Sequence, residues 1–174
     1  MKHVWTGTVL MALASAAAPA AAQEAVNRVA VNNDWSVLVA DAGGRECFIA
    51  SAPTNSTATR GGQTVTVRRS EIRMMVSFRP GAGVSNEVSF TGGYPFRENS
   101  RVTLQIGNRS WDMFTEGEWA WPASPSEDGQ IVAAMRAGAT ARVTGVSSRG
   151  TQTVDTISLR GFTASINDAQ GRCQ

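Results

Sequence analysis

Two carboxylates flanked by indoles stand in the stretch WDMFTEGEWAW, where Glu116 and Glu118 lie between Trp111 and the pair Trp119 and Trp121, with Asp112 close by. Paired acids are the machinery of glycoside hydrolysis, one donating a proton while the other attacks or activates water. Indole rings supply large apolar contact area in binding sites. The spacing speaks against catalysis, because one short loop would have to present both acids at opposed positions around a substrate. The simpler reading packs Trp111 in the core and leaves the acids on a solvated turn. Glu116, Glu118, Trp119 and Trp121 then form a candidate binding surface.

Three other groups of residues invite chemistry. The stretch VTGVSSRGTQTVDTISLRGFTASI, Val143 to Ile166, gathers Ser147, Ser148, Ser158 and Asp155 among glycines. A hydrolase nucleophile on a strand-to-helix elbow needs the G-x-S-x-G spacing and a histidine to activate it. The glycines are misplaced here, so Ser158 reads as an early cap of a closing helix and Asp155 as a solvated or hydrogen-bonded strand residue. Arg68, Arg69, Arg73 and Arg79 crowd VRRSEIRMMVSFRP. Guanidinium forks suit carboxylates and phosphates, but on a half-buried strand outward arginines are ordinary solvated residues that guard a sheet edge. Tyr94 and Phe96, around Pro95, are expected to pack in the core.

The N-terminus decides which mechanisms are open. MKHVWTGTVLMALASAAAPAAAQEA has one lysine, an apolar run from Val4 to about Ala18, and small residues just before Gln23. That is the pattern of a secretory signal peptide over residues 1–22, with cleavage near Ala22. The run is shorter than the roughly 20 residues of a membrane span, and no later run approaches that length. No cysteine follows the small residues to accept a lipid. Taking 22 residues from 174 leaves 152, the size of one domain, spanning 23–174. Lys2 and His3 leave with the leader, and they are the only lysine and histidine in the chain. The remaining 15 basic residues are all arginine, against 14 acids, so nothing indicates nucleic-acid binding. Mechanisms built on Ser-His-Asp, Cys-His, Schiff-base lysine or imidazole-bound metal lack their central residue, and no cofactor is expected. Cys47 and Cys173 in an exported chain read as a disulfide. Zinc on two thiolates is the weaker alternative, with no histidine to complete a tetrahedral set.

The elements that would position these residues are mostly strands. EIRMMVSF places Ile72, Met74, Val76 and Phe78 on one face, and RVTLQI alternates Val102, Leu104 and Ile106 with polar residues. Such period-2 patterning marks antiparallel strands with one face on a core. Gly107-Asn108 suggests a hairpin into RSWDMF. DWSVLVA, ECFIAS, GQTVTV, NEVSFT, ATARVTGV and TQTVDTISL are further candidates. Roughly eight to ten short strands predict an all-β, mainly antiparallel single domain, a sandwich or barrel. Two short helices are expected. One lies in SPSEDGQIVAAMRAGA, capped by Ser124 or Ser126 and stopped at Gly138, and the other is GFTASINDAQG at the C-terminus.

The ending of the chain carries a resemblance. Ser158, Leu159, Arg160, Gly161, Phe162, Thr163 and Ala164 match the SL-(K/R)-GF-T-A helix start of the invasion-associated locus B (IalB) family, exported proteins of Gram-negative bacteria. DWSVLVAD and CFIASAP, between Asp34 and Pro53, resemble that family's opening strand and first cysteine. EVSFTGGYPF and AMRAGATARVTG sit where similar members carry a strand and a helix followed by a strand. Many members carry further cysteines, and this chain has none of them. The resemblance implies a β-rich periplasmic or secreted protein of the cell envelope, with a name drawn from host-cell invasion and with no catalytic residues to carry over. The expectation is a non-enzymatic binding or scaffolding protein with a protein or glycan partner in the envelope. The alternative is a carboxylate-dependent hydrolase of envelope glycans built on Glu116 and Glu118.

Overall fold

The computed structural model describes residues 26–41 and 43–174; the expected signal peptide lies outside them. Twelve strands follow in chain order: β1 (Asn27–Asn32), β2 (Trp35–Ala40), β3 (Glu46–Ser51), β4 (Asn55–Arg60), β5 (Gln63–Thr64), β6 (Arg73–Arg79), β7 (Val84–Thr91), β8 (Arg101–Ile106), β9 (Arg109–Glu116), β10 (Trp119–Trp121), β11 (Thr140–Val146) and β12 (Gln152–Ser158). Helix α1 (Pro125–Ala137) joins β10 to β11, and α2 (Phe162–Arg172) ends the domain. Every strand pair is antiparallel, in the single order β1-β2-β3-β6-β7-β10-β9-β8-β11-β12-β4-β5. The expected all-β antiparallel class with two short helices, the second at the C-terminus, is what the chain adopts. The sheet is not closed: β1 and β5 are its edges.

Alternation within each strand decides what the sheet buries. Trp35, Val37, Ile49, Met74, Val76, Val88, Phe90, Val102, Leu104, Met113, Val143 and Ile157 share one cluster with residues of both helices. Because inner-face residues from both halves of the strand order meet in that one cluster, the sheet is rolled around its core. Each helix lays an apolar face against it, α1 with Ile131, Val132 and Met135 and α2 with Phe162, Ile166 and Ala169. Burial of an aliphatic or aromatic side chain contributes about 1.5–3 kcal/mol, so this cluster dominates folding.

The helix ends follow local chemistry. Ser124 caps α1, its Oγ accepting from Glu127 N at 3.3 Å, while Glu127 Oε2 accepts from Ala123 N at 2.9 Å. The first bond satisfies a donor that the first turn leaves unpaired, and the second ties the residue before the cap to the helix. The cap expected for α2 was different. Ser158 belongs to β12 and its Oγ accepts from Arg160 N at 3.3 Å, whereas the α2 cap is Gly161, with no side-chain cap. Gly161 has φ +88°, and a Cβ there would meet Asn32 O at 1.9 Å. The close approach of β1, not capping chemistry, fixes this residue. Trp35 Nε1 donates to Ser158 O at 2.9 Å, and its ring meets Phe162 edge-on at 5.0 Å. The start of β2 is thereby joined to the end of β12 and the start of α2.

Three strands were not legible as such. β4, NSTATR, offers only Ala58 to the interior. β1 lies beside the leader, and β10 falls in what reads as a loop. GQTVTV is strand only at Gln63–Thr64. Beyond Val65 N, which donates to Ala58 O at 2.9 Å, the chain leaves the edge and crosses to β6. On that crossing Ser70 N donates to Gly93 O at 3.0 Å.

Candidate binding surfaces

The acids and indoles sit on a tight β9–β10 hairpin. Glu116 pairs with Trp119, and Gly117, φ +58°, takes the first of the two turn positions between them. Glycine is the residue such a position selects. Alternation then aims Ala120 and Met113 inward and Trp119, Trp121 and Phe114 outward. Phe114 and Trp121 stack with centroids 5.6 Å apart, and Trp121 and Trp119 stack at 6.2 Å. Phe114 is 40% exposed and Trp119 37%, so the outer face carries a ladder of three rings. Phe114 escaped the sequence reading, although a hairpin centred on Gly117 places it opposite Trp121. Trp111 is buried as expected, with the Arg109 guanidinium 4.7 Å over its ring.

Glu116 and Glu118 line different depressions. Glu116 borders a hollow of about 370 Å³ with Phe114, Trp121, Glu87 and Asp128. Glu118 lines a groove of about 620 Å³ with Trp119, Thr91, Met75, Phe48 and Leu38, and also a separate cavity described below. Its Oε2 lies 3.5 Å from Ser70 Oγ. The groove has an apolar floor of Leu38, Phe48 and Met75, which with Ala50 make up a buried cluster separate from the main core. Its rim holds Arg28, Arg73 and Glu71 beside Glu118. In the smaller hollow, Asp128 accepts from Val88 N at 2.8 Å. Its pKa is pushed up to about 6, chiefly by burial, with Glu87 and Glu127 adding to the rise and the Val88 bond opposing it.

The arginine-rich stretch departs from expectation at Arg69. Its Nη1 and Nη2 donate to the two oxygens of Asp155 at 2.7 Å each, and Nε donates to Gly92 O at 2.8 Å. Both side chains are buried, with exposures of 7% and 0%. Ser56 Oγ donates to Asp155 at 2.6 Å, and Tyr94 lies under the Arg69 guanidinium at 5.0 Å while bonding Thr153 Oγ1 at 2.6 Å. Burial raises the Tyr94 pKa, a rise that the Thr153 bond and the Arg69 charge oppose. Asp155 is thus a hub between the crossing segment, β4 and β12. Arg79 sits on the outer face between Glu46 and Glu87, at 3.2 and 2.7 Å.

The serines around Arg149 make a turn. Ser147 Oγ accepts from Thr151 N at 3.1 Å, and Gly150 N donates to Ser147 O at 2.9 Å. Cys47 and Cys173 form the disulfide, Cα atoms 5.9 Å apart, which ties the end of α2 to β3. With both sulfurs bonded to each other, the zinc alternative has no ligands left. No group of three or more potential metal ligands occurs among the described residues, and none of their helices is long and apolar enough to cross a membrane.

A rolled antiparallel sheet, two helices folded onto its core and a disulfide from an early strand to the end of the last helix make a mostly antiparallel β fold, and such a disulfide is compatible with an extracytoplasmic protein. The profile of the invasion associated locus B (IalB) protein family matches residues 35–170, so the chain belongs to that family. No curated protein and no solved structure matches it.

Proposed function

We propose that this IalB family member is an exported envelope protein that works by binding rather than catalysis, and that its partner is a protein. The observation that carries the reading is the groove beside Trp119. An exposed indole at the free end of a three-ring stack borders an apolar floor of Leu38, Phe48 and Met75, with charges of both signs around the rim. Aromatic anchors beside desolvated apolar surface within a polar rim are the anatomy of protein interfaces. A glycan favours open ring faces, and here Trp121 stacks between its two neighbours. The disulfide and the family support an extracytoplasmic location. Glu116 and Glu118 border separate depressions, which lends the hydrolase alternative no geometric support.

The test is a photo-crosslinking residue placed at Trp119 and, as a control, at exposed Arg142 on β11, in cells expressing the full chain. Position 119 should yield a discrete adduct in which mass spectrometry finds peptides of a second protein, and position 142 should not. Adducts whose added mass is removed by glycosidase and contains no second polypeptide would replace the protein partner with a glycan. Identical products from both positions would remove the groove from the function.

A further inference from the structure

A cavity of about 570 Å³ lies between the crossing segment that joins β5 to β6, the Gly93–Pro95 loop and the Ser147–Arg149 turn. Its charge is lopsided. Arg60, Arg68 and Arg149 line it, and Glu118 is the one carboxylate among the lining residues. Arg69 lines it as well, but its charge is matched by Asp155. Among the described residues, Arg60, Arg68 and Arg149 have no carboxylate within ion-pair distance, since the six ion pairs use other arginines. Three guanidinia against one carboxylate leave two positive charges uncompensated, and a concave low-dielectric wall concentrates such a field.

The site is partly organised in advance. Arg60 Nε and Nη2 donate to Thr151 Oγ1 at 3.0 and 2.6 Å. That anchor fixes the guanidinium and leaves three of its five N–H groups for a ligand. We propose that this cavity binds a phosphate group, held by Arg60, Arg68 and Arg149. A lone carboxylate is satisfied by one fork, whereas a phosphate monoester carries close to two negative charges and several terminal oxygens. Two uncompensated positives and three guanidinia match the second ligand. Glu118, which also borders the Trp119 groove, opposes the anion. The site is distinct from the proposed partner groove and stands without it.

Thermal melts of the full mature chain in rising inorganic phosphate, against sodium chloride at equal ionic strength, test the site. Phosphate should raise the melting temperature saturably and chloride should not. Arg149→Gln should raise the half-saturating concentration on the order of tenfold, as expected for one charge-assisted hydrogen-bonding group. Arg68→Gln combined with it should weaken binding further. Both side chains are exposed, so circular dichroism should be unchanged. Glu118→Gln should tighten binding, an outcome that loss of folding cannot mimic. Sedimentation with phosphatidylcholine vesicles, with and without phosphatidic acid, separates the sources. Arginine-dependent pelleting only with phosphatidic acid indicates a lipid headgroup, and a response to free phosphate alone indicates a soluble ligand. Equal effects of phosphate and chloride, or variants that respond like the wild type, would overturn the proposal.

Discussion

Asp155 ties several elements together, because it is fully buried and accepts from both Nη groups of Arg69 and from the Ser56 hydroxyl. Removing one member of a buried pair leaves the other charge without compensation, which costs about 3–5 kcal/mol. Asp155→Ala should lose stability of that size in urea titrations. The double change Arg69→Met with Asp155→Leu should recover much of it, because a packed apolar pair removes both desolvation terms. Asp128 provides the second residue-scale prediction. Its folded pKa of about 6 lies above the ordinary 3.8, so the native state holds this proton where the unfolded chain has released it. Stability from this group is therefore full at acid pH and falls as pH rises from about 4 to 6. Asp128→Asn keeps an acceptor for Val88 N and should flatten that slope relative to wild type in melts taken across the window. An unchanged slope would assign it to other carboxylates. Asp155 read in sequence as a solvated or hydrogen-bonded strand residue, and neither its burial nor that of Asp128 was visible there. Arg69 and Asp155 are 86 positions apart, and no local pattern distinguishes a solvated strand carboxylate from a buried one.

Elements were legible where one face is apolar and the other polar. β8 is the plainest case, with Val102, Leu104 and Ile106 buried and the residues between them exposed or half-buried. β4 was illegible for the same physical reason inverted: hydroxyl and amide side chains on both faces give no alternation, and its strand character comes from pairing with β12 between Thr59 and Gln152. The cluster of Trp119, Trp121, Glu116 and Glu118 was visible as composition, but its division between separate depressions depends on the turn at Gly117. The β12–α2 junction gives the sharpest element-scale prediction. Gly161→Ala combines a left-handed backbone with a Cβ driven into Asn32 O. It should destabilise the domain by at least about 2 kcal/mol, whereas Gly171→Ala, with open space around the added Cβ, should be close to neutral. Thermal melts of the two variants side by side make the comparison. Similar losses in both would mean that an added Cβ anywhere along the C-terminal segment is costly, and that the approach of β1 is not what fixes Gly161.

On the scale of the whole molecule, order in the sheet departs from order in the chain: β3 pairs with β6, β8 with β11 and β12 with β4. The roll is incomplete until the last strand has joined the fourth, and α2 then packs on β1, β2 and β3. The disulfide closes a loop of 126 residues, for which chain entropy gives about 5 kcal/mol as an upper figure. Reduction should therefore lower the urea midpoint substantially. The form of the transition tells more than its position. Trp35 is fully buried, and in a variant whose other four tryptophans are changed to Phe its fluorescence reports contact with Phe162 at the β1–α2 seam, while far-UV circular dichroism reports the whole backbone. In the oxidised protein the two signals should change together, since Trp35 and α2 share one core with the central strands. Reduction should preserve that coincidence, because Trp35, Phe162 and the Gly161–Asn32 contact hold α2 independently of Cys173. If tryptophan fluorescence changes at lower urea than circular dichroism only after reduction, α2 is a separately detachable unit, and the disulfide alone joins it to the rolled sheet.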